Sequence, residues 1–517
     1  MPRRFNTAGP CNPVDHYMIA PAARLPQVRG LIDQKSYFVL HAPRQVGKTT
    51  SLLALAEQLT REGAYVATLL SMEVGAPFAA DPGAAELAIL GDWRDNASFQ
   101  LPETLRPPPF PEAPPGQRIS AALRAWAAAA PRPLAIFLDE IDALRGDALI
   151  SVLRQLRSGF PRRPTDFPHA LALVGLRDVR DYKVAATDDD RLGTASPFNI
   201  KAESITLHNF TREEVGALYA QHTAETGQAF LPEAIDRAFE LTQGQPWLVN
   251  ALARQLVEVL VTDRAKPIER AHVNRAREIL IERQDTHLDS LTERLREPRI
   301  RSIIEPMLAG TAPFAPLPND DIRFAIDLGL VRLDPSGGLA IANPIYQEII
   351  VRELSLSPRA SLPSIKPSWL TPDGRLDATR LLEAFLEFWR CHGEALLRAA
   401  PYHEVAPHLV LMAFLHRVVN GGGSIEREYA IGRGRMDLCV RHGSTTLAIE
   451  LKVWRDGRRD PLEEGLEQLD GYLAGLGLPS GWLVIFDQRS STPPIAERTR
   501  QEPARTPSGR DVSVIRA

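Results

Sequence analysis

The sequence predicts a multidomain α/β protein in which two α/β regions flank a mainly helical segment. Three observations support this prediction. Short apolar strands alternate with amphipathic helices over residues 1–200, which is typical of a parallel sheet covered by helices. Helical periodicity then dominates the middle of the chain. A Ser- and Pro-rich linker, 356–370, precedes a second region of strands and helices, 371–517.

Composition restricts the function classes that need to be considered. The chain has 517 residues, of which 44% are hydrophobic and 24% charged, as in ordinary globular domains. Its formal net charge is −4, so a nucleic-acid site would have to be a local basic patch. Cys11, Cys391 and Cys439 have no paired spacing, which argues against a disulfide framework or a zinc site. Without a signal peptide or an apolar run of about 20 residues, we expect a cytoplasmic protein with no membrane association.

The first predicted strand, Tyr37–His41, leads into the loop APRQVGKTT and then into a helix. The loop follows the pattern G-x-x-x-x-G-K-[ST], with Ala42 in place of the first glycine. Backbone N–H groups of such a loop surround a phosphate, the lysine reaches the β- and γ-phosphates, and the hydroxyl of Thr49 ligates Mg²⁺. The predicted nucleotide-binding residues of the loop are Ala42, Gln45, Val46, Gly47, Lys48, Thr49 and Thr50.

A second strand completes this predicted site. Residues 134–138 are apolar and are followed by Asp139 and Glu140, about 90 residues after Thr49. In this pattern Asp139 holds Mg²⁺ and Glu140 orients or deprotonates the attacking water during phosphoryl transfer. The alternative is a strand that ends in two solvated carboxylates.

The other elements of the first 355 residues follow in order. The stretch 101–116 contains seven prolines and predicts an exposed loop. A helix over 118–129 and a buried strand over 170–175 come next. Thr211 and Glu214 form a capping box that opens a run of helices to about residue 261. Residues 298–354 predict helices followed by a two-stranded wing.

Together, HAPRQVGKTT, FLDEID and the tripeptide Gly244-Gln245-Pro246 resemble the prokaryotic AAA+/STAND P-loop ATPases. The resemblance covers about residues 1–355 and implies ATP and Mg²⁺ as cofactors, with ATP hydrolysis. It implies a P-loop core over 1–200, a helical lid over 201–283 and a winged helix over 284–355. The tripeptide predicts either a contact with the nucleotide or a simple helix break.

The same resemblance implies further contacts with the nucleotide. A polar sensor is expected after the fourth strand, where GLRDVRD offers Arg177, Asp178 and Arg180, and we assign Arg177 to the nucleotide site. The segment Phe5–Tyr17 is the candidate for contact with adenine. The winged helix is expected to pack on the ATPase rather than to read DNA, because its wing, DPSGG, carries no cation.

The C-terminal region contains a second pattern of charged residues. Asp437 begins one predicted strand, and Glu450-Leu451-Lys452 ends the next. Asp437 and Glu450 lie 13 residues apart, and a hairpin at Gly443 would bring their strands side by side. Glu450 and Lys452 lie two residues apart and therefore on the same face of a strand. Carboxylates so placed bind Mg²⁺ or Mn²⁺, and a neighbouring lysine positions water or stabilises charge.

This D-x(12)-E-x-K spacing resembles the PD-(D/E)XK nucleases, which are restriction-endonuclease-like, although Met436 replaces the proline of the motif. Gln468 and Tyr472 resemble the Q-x-x-x-Y motif of the RecB-like members. The resemblance implies that Asp437, Glu450, Lys452 and Gln468 are catalytic, and that Asp437, Glu450 and Glu404 hold the metal. Glu404 is the candidate from a helix over 402–419, and Glu426 and Glu428 are the alternatives. The run GRGR, 432–435, would contact phosphates.

The leading functional hypothesis is an ATP-regulated, metal-dependent hydrolase that cleaves DNA or RNA. The alternative is a STAND-type regulatory switch whose nuclease-like domain binds nucleic acid or protein without cleaving. A third hypothesis, a regulator that binds DNA through the winged helix, has the least support. The sequence leaves a homo-oligomer open.

Overall fold

A computed structural model describes most of the chain. The described residues are 3–20, 24–177, 200–283, 293–295, 297–308, 319–334, 337–354, 368–399, 406–419, 423–429 and 436–517. They fall into two compact units, which are taken separately below. The first unit is Met1–Arg283 with Arg323–Arg332, and the second is Gln284–Ile322 with Leu333–Ala517.

The first unit is built on a five-stranded parallel sheet in the order β2-β3-β4-β1-β5. Its strands are β1 (Tyr37–His41), β2 (Val66–Ser71), β3 (Leu134–Asp139), β4 (Ala170–Gly175) and β5 (Glu203–Thr206). The strands β1 to β4 are almost entirely buried because helices cover both faces, so they are apolar throughout rather than alternating. The predicted parallel sheet covered by helices is confirmed.

Two apolar cores lie on opposite faces of this sheet, as the alternation of side chains along each strand requires. One core contains Val39, Ile136 and Leu171, and the other contains Leu40, Phe137 and Ala172. The helices that form them are α1 (Pro26–Asp33), α2 (Lys48–Arg61), α3 (Pro82–Gln100), α4 (Arg118–Ala129) and α5 (Gly146–Gly159). Because all five strands are parallel, their carboxyl ends share one edge of the sheet, where the predicted loop and acids lie.

The proline-rich stretch 101–116, which the sequence predicts to be an exposed loop, contains a helical turn and a buried residue. It contains a short 3-10 helix, Glu103–Leu105, and Leu105 is buried in the core. The stretch is held at its far end by the buried carboxylate of Glu86, which accepts from the backbone N–H of Gly116 at 3.0 and 3.1 Å. Proline restricts the backbone of this loop, so the loop can be ordered although few of its residues pack in the core.

Four helices follow the sheet: α6 (Arg212–Thr226), α7 (Pro232–Thr242), α8 (Pro246–Gln255) and α9 (Arg270–Arg283). The predicted capping box is present, since Glu214 N–H donates to the Thr211 hydroxyl and Thr211 N–H donates to the Glu214 carboxylate. Gly244 has φ +70°, and a Cβ there would lie 1.8 Å from the carbonyl oxygen of Phe210. Only glycine fits at this position, and the helix break at 244–246 therefore has a packing reason.

The segment predicted as a winged helix contains elements in the order that the prediction requires. They are α10 (Pro298–Leu308), α11 (Asn319–Asp327), β6 (Val331–Leu333), β7 (Leu339–Ile341) and α12 (Pro344–Leu354). Within the described residues, no helix is both long and apolar enough to cross a membrane.

The second unit contains a six-stranded mixed sheet in the order β12-β13-β11-β10-β9-β8. Its strands are β8 (Gly423–Tyr429), β9 (Met436–His442), β10 (Thr445–Trp454), β11 (Ser480–Asp487), β12 (Arg500–Arg505) and β13 (Asp511–Arg516). Its helices are α13 (Ala378–Ala399), α14 (Ala406–Val419), α15 (Leu462–Leu476) and α16 (Ile495–Arg498). A C-terminal α/β region with a mixed sheet is therefore present, and its restriction-endonuclease-like identity stays a prediction.

Two details of this region differ from the sequence prediction. Glu450 does not end its strand, because β10 continues to Trp454 through parallel pairing of Val453 and Trp454 with the end of β11. The helix predicted over 402–419 begins at Ala406, and Glu404 lies outside the described residues. The predicted hairpin at Gly443 is present, since Thr445 pairs with His442.

Candidate functional sites

The loop after β1 is shaped by two residues with positive φ. Gln45 has φ +58° and Gly47 has φ +95°, and α2 begins directly afterwards at Lys48. The N-terminus of a helix presents unpaired N–H groups and a partial positive charge, so it favours an anion. The loop and helix thus have the local geometry that the sequence pattern predicted.

Ala42 and Lys48 fix the two ends of this loop. Ala42 is buried in the sheet core, where its methyl group packs, so this departure from glycine is accommodated. The Lys48 ammonium donates to the carbonyl oxygens of Ala42 at 2.7 Å and Pro43 at 2.9 Å. Burial lowers the pKa of Lys48, and the nearby carboxylates of Asp139 and Asp142 partly oppose this effect. The lysine is therefore a partly buried cation held by neutral backbone groups.

The predicted metal and water-activating residues lie together at the end of β3. The Thr49 hydroxyl donates to the Asp139 carboxylate at 2.7 Å, and the backbone N–H of Glu140 donates to the same carboxylate at 2.9 Å. Burial raises the pKa of Glu140, helped by the negative charges of Glu73 and Asp139. A hydroxyl and a carboxylate oxygen at this spacing are ligands of the kind that Mg²⁺ takes in phosphate sites.

An open cleft lies beside the loop. Three parts of the first unit form its walls: the N-terminal segment, the phosphate loop with the start of α2, and the helices after the sheet. The lining residues are Asn6, Thr7, Gly9, Cys11, Tyr17, Met18, Ile19, Arg24, Gln45, Val46, Gly47, Thr50, Ser51, Phe210, Leu218, Pro246, Trp247 and Asn250. The cleft therefore joins Gly47 and Thr50 to the predicted adenine segment and to the Gly244-Gln245-Pro246 break.

The N-terminal segment is anchored to the helices rather than to the sheet. Arg3 forms an ion pair with Glu225 at 2.5 Å, and the Tyr17 hydroxyl donates to Glu225 at 3.1 Å. Phe5 is buried against Tyr17 and Tyr219. Of the two aromatic residues expected near the base, Tyr17 lines the cleft, whereas Phe5 fills this aromatic cluster.

Arg24 is a cleft residue that the sequence prediction missed. Its guanidinium donates to the carbonyl oxygen of Val46 at 2.9 Å and to that of His208 at 2.5 Å, and it lies 4.7 Å from the ring centroid of Phe210. These partners are 22 and 184 residues away along the chain, so no local motif announces them. Desolvation lowers the pKa of Arg24 to about 10.

The structure describes one of the three sensor candidates. The Arg177 guanidinium lies 3.7 Å from the ring centroid of Phe324, a residue of α11 that belongs to the first unit. Asp178 and Arg180 lie outside the described residues. The assignment of Arg177 to the nucleotide site stays a prediction.

In the second unit, Glu450, Lys452 and Gln468 form one cluster. The Lys452 ammonium donates to the Glu450 carboxylate and to the side-chain oxygen of Gln468 on α15. Glu450 has no exposed surface, and Lys452 is 5% exposed. Tyr472, one turn after Gln468, packs against the apolar core under the same helix. The structure thus brings together three of the residues that the nuclease resemblance selected.

The remaining predicted ligands are only partly described. Leu438 of β9 pairs with Ile449 of β10, so Asp437 and Glu450 are the next positions along the two strands. The side chains of Asp437 and Glu404 lie outside the described part of the structure. Among the residues that are described, no group of three or more His, Cys, Asp or Glu side chains could hold a metal ion.

Comparisons with known proteins give structural similarity only. No family model matches the chain, and no curated protein sequence matches it. The Walker-type ATPase PABY2304 of Pyrococcus abyssi shares 13% identity at a TM-score of 0.47, covering 67% of this chain and 99% of that chain. Thermotoga maritima RuvB, a Holliday junction branch migration motor, shares 14% sequence identity at a TM-score of 0.34, covering 64% of this chain and 92% of that chain. Cdc6p of Pyrobaculum aerophilum shares 13% sequence identity at a TM-score of 0.36, covering 68% of this chain and 96% of that chain. At these TM-scores the similarities decide neither the fold nor the function of this chain.

Proposed function

We propose that the first unit binds and hydrolyses ATP with Mg²⁺, as an AAA+/STAND-type ATPase. The hydrogen bond between Thr49 and Asp139 is the observation that carries this proposal, because it joins the phosphate loop to the acidic end of β3. Both groups offer oxygen ligands, and Glu140 follows directly. The nucleoside would lie in the cleft beside Gly47.

Each residue has a distinct task in this proposal. Lys48 leaves the carbonyl oxygens of Ala42 and Pro43 and binds the terminal phosphates. Thr49 and Asp139 would hold Mg²⁺, which neutralises phosphate charge when it is bound. Glu140 orients the attacking water and accepts its proton, and its raised pKa makes it a stronger base than an ordinary glutamate.

We propose that the C-terminal region is a metal-dependent nuclease of the PD-(D/E)XK kind, acting on DNA or RNA under control by ATP. The cluster of Glu450, Lys452 and Gln468 supports the proposal, since an acid, a lysine and the glutamine from the following helix meet on one face of β10. Asp437, on the neighbouring strand, would supply the second carboxylate. Oxygen ligands of this type suit Mg²⁺ or Mn²⁺.

One observation favours a second candidate, a switch that binds nucleic acid or protein without cleaving it. Glu450 and Lys452 are buried and neutralise each other, so neither charge is offered to solvent in this conformation. A metal at the same carboxylate oxygen would have to displace Lys452, whereas the other oxygen, Oε2, has no hydrogen-bond partner among the described residues. A domain that keeps the fold without the chemistry would tolerate such a pair.

Incubation of the full chain with labelled DNA and RNA decides between the two candidates. The reactions contain Mg²⁺ or Mn²⁺, with and without ATP, and each is repeated with Glu450→Gln and with Lys48→Ala. We expect cleavage that requires the metal and disappears in Glu450→Gln. Nucleic-acid binding without cleavage under all conditions would favour the second candidate. Cleavage that persists in Glu450→Gln would indicate a contaminating nuclease and contradict the nuclease proposal.

A further inference from the structure

Two partly buried cations lie at the phosphate loop, and both donate to backbone carbonyl oxygens. Lys48 donates to the carbonyl oxygens of Ala42 and Pro43, and Arg24 donates to those of Val46 and His208. Among the described residues, neither cation forms an ion pair with a carboxylate. Glu214 acts on Arg24 only at longer range, and it does not offset the effect of burial.

This arrangement is unusual for an arginine. A partly buried guanidinium that lacks a counter-ion is costly, because its charge has lost part of its hydration without gaining an opposite charge. Arg29, on α1, differs in this respect, because it bonds to the carboxylates of Asp33 and Glu62. A cation kept in a cleft on carbonyl oxygens alone can exchange those weak partners for a stronger one when an anion enters.

The location of Arg24 defines which anion this would be. Arg24 lines the cleft together with Gly47 and Thr50. A Cβ built on Gly47 would lie 3.1 Å from a guanidinium nitrogen of Arg24, so the side chain crosses directly over the loop. Phe210 lies beneath the guanidinium and keeps water from that side. A guanidinium offers planar, paired donors that match phosphate oxygens.

We propose that Arg24 is a second phosphate-binding cation of the nucleotide site, which contacts a phosphate group of the bound nucleotide from the cleft beside Gly47. This inference rests on the proposed nucleotide binding. It adds a residue that lies outside the phosphate-loop motif and the acidic strand.

Affinity measurements with adenosine, AMP, ADP and ATP test the proposal. The variants are Arg24→Gln and Arg24→Lys, with Arg29→Gln as the matched control because Arg29 is exposed and already paired. For Arg24→Gln we expect ATP and ADP to bind about 10- to 100-fold more weakly, while adenosine affinity is unchanged. Arg24→Lys should lose less, because it keeps the charge but not the planar geometry. Arg29→Gln should match the wild type.

The salt dependence of ATP binding separates a phosphate contact from a purely structural role. If Arg24 binds phosphate, Arg24→Gln should reduce the fall of ATP affinity with rising salt, because one charge–charge interaction is gone. A loss of affinity with unchanged salt dependence would mean that Arg24 only positions the loop through Val46, and would overturn the proposal. Equal losses for adenosine and ATP would also overturn it. If the wild type binds no ATP, the proposed function itself fails; if only Lys48→Ala loses binding, this inference alone fails.

Discussion

The two candidate sites each contain a lysine near an acid at a sheet, but the first lysine is partly buried, the second is buried, and they are held differently. Lys48 rests on backbone carbonyl oxygens, and its neighbouring acid, Asp139, accepts from Thr49. Lys452 donates directly to the acid, Glu450, and to Gln468. A nucleotide can therefore reach Lys48 by displacing neutral partners. Lys452 engages only one carboxylate oxygen of Glu450, and the other, Oε2, has no hydrogen-bond partner among the described residues. The first site is prepared for its ligand, whereas the second is closed in the sense that its lysine is already paired with its own acid.

The largest expected effect tests the prepared site. Lys48→Ala should weaken ATP binding roughly a thousandfold, because the ammonium makes charged hydrogen bonds to two phosphates. Titration calorimetry measures the affinity, and Lys35→Ala, a change of an exposed lysine of the same unit, is the control. Lys452→Ala should bind ATP as the wild type does. Unchanged affinity in a folded Lys48→Ala protein would remove the basis of the comparison.

The next effect concerns hydrolysis. Glu140→Gln should bind ATP normally but hydrolyse it about 10²- to 10⁴-fold more slowly, because the amide cannot accept the proton of the attacking water. The pKa of Glu140 is raised and only the carboxylate is active, so wild-type activity should fall as pH decreases through that raised value. The residual activity of Glu140→Gln should lack this acid limb. If the activity of both proteins falls in the same way at low pH, a group other than Glu140 causes the fall.

The closed site is tested by its stability. Lys452→Ala leaves the Glu450 carboxylate buried and unpaired, so we expect the free energy of unfolding of the second unit to fall by about 3–5 kcal/mol. The double change Glu450→Gln and Lys452→Met removes both charges and should recover most of the loss. Denaturant titration in the absence of divalent metal measures both. A neutral effect of Lys452→Ala would show that Glu450 reaches solvent or another cation.

The smallest effect concerns His408, a buried residue of α14 whose ring lies 5.7 Å from that of Phe486. Burial lowers its pKa to about 4, and the charges of Lys452 and Arg455 act in the same direction. The unfolded chain therefore binds the proton first, and stability should be complete above about pH 6.5. It should fall by up to about 3 kcal/mol as pH decreases to about 4.

His408→Phe should flatten this acid dependence, since phenylalanine has no group to protonate. His392→Phe, in the same unit, is the control and should leave the dependence as it is in the wild type. Measurement of unfolding free energies across pH 4–7 gives both curves. Equal slopes for His408→Phe and the wild type would mean that other groups of the second unit set the acid limit.

Patterns within short stretches of sequence were enough to predict much of the fold and several residues of both candidate sites. The strands β1 and β4 follow from continuous apolar runs, because a sheet covered on both faces needs no polar alternation. Thr211 and Glu214 identified a helix start because a capping box depends on residues only three positions apart. Thr49 and Asp139 could be paired in advance because parallel strands end at a common edge.

Other features depend on distant parts of the chain and left no local pattern. Arg24 binds carbonyl oxygens of Val46 and His208, and a backbone carbonyl is the same at every residue, so no sequence motif encodes this contact. The two-residue period of β10 predicts that Glu450 and Lys452 share one face, but it does not predict that α15 covers that face. Their burial arises from the packing of that helix, which the period of the strand does not contain.

The hydrogen bond that the Trp247 indole donates to the carbonyl oxygen of Thr7 has a practical consequence. Trp247 lines the cleft, whereas Trp93 and Trp126 lie in the sheet core. The other four tryptophans of the chain belong to the second unit. A nucleotide that enters the cleft changes the surroundings of this one indole in the first unit. The intrinsic fluorescence of the protein therefore contains a built-in optical reporter of cleft occupancy, which Trp247→Phe would silence.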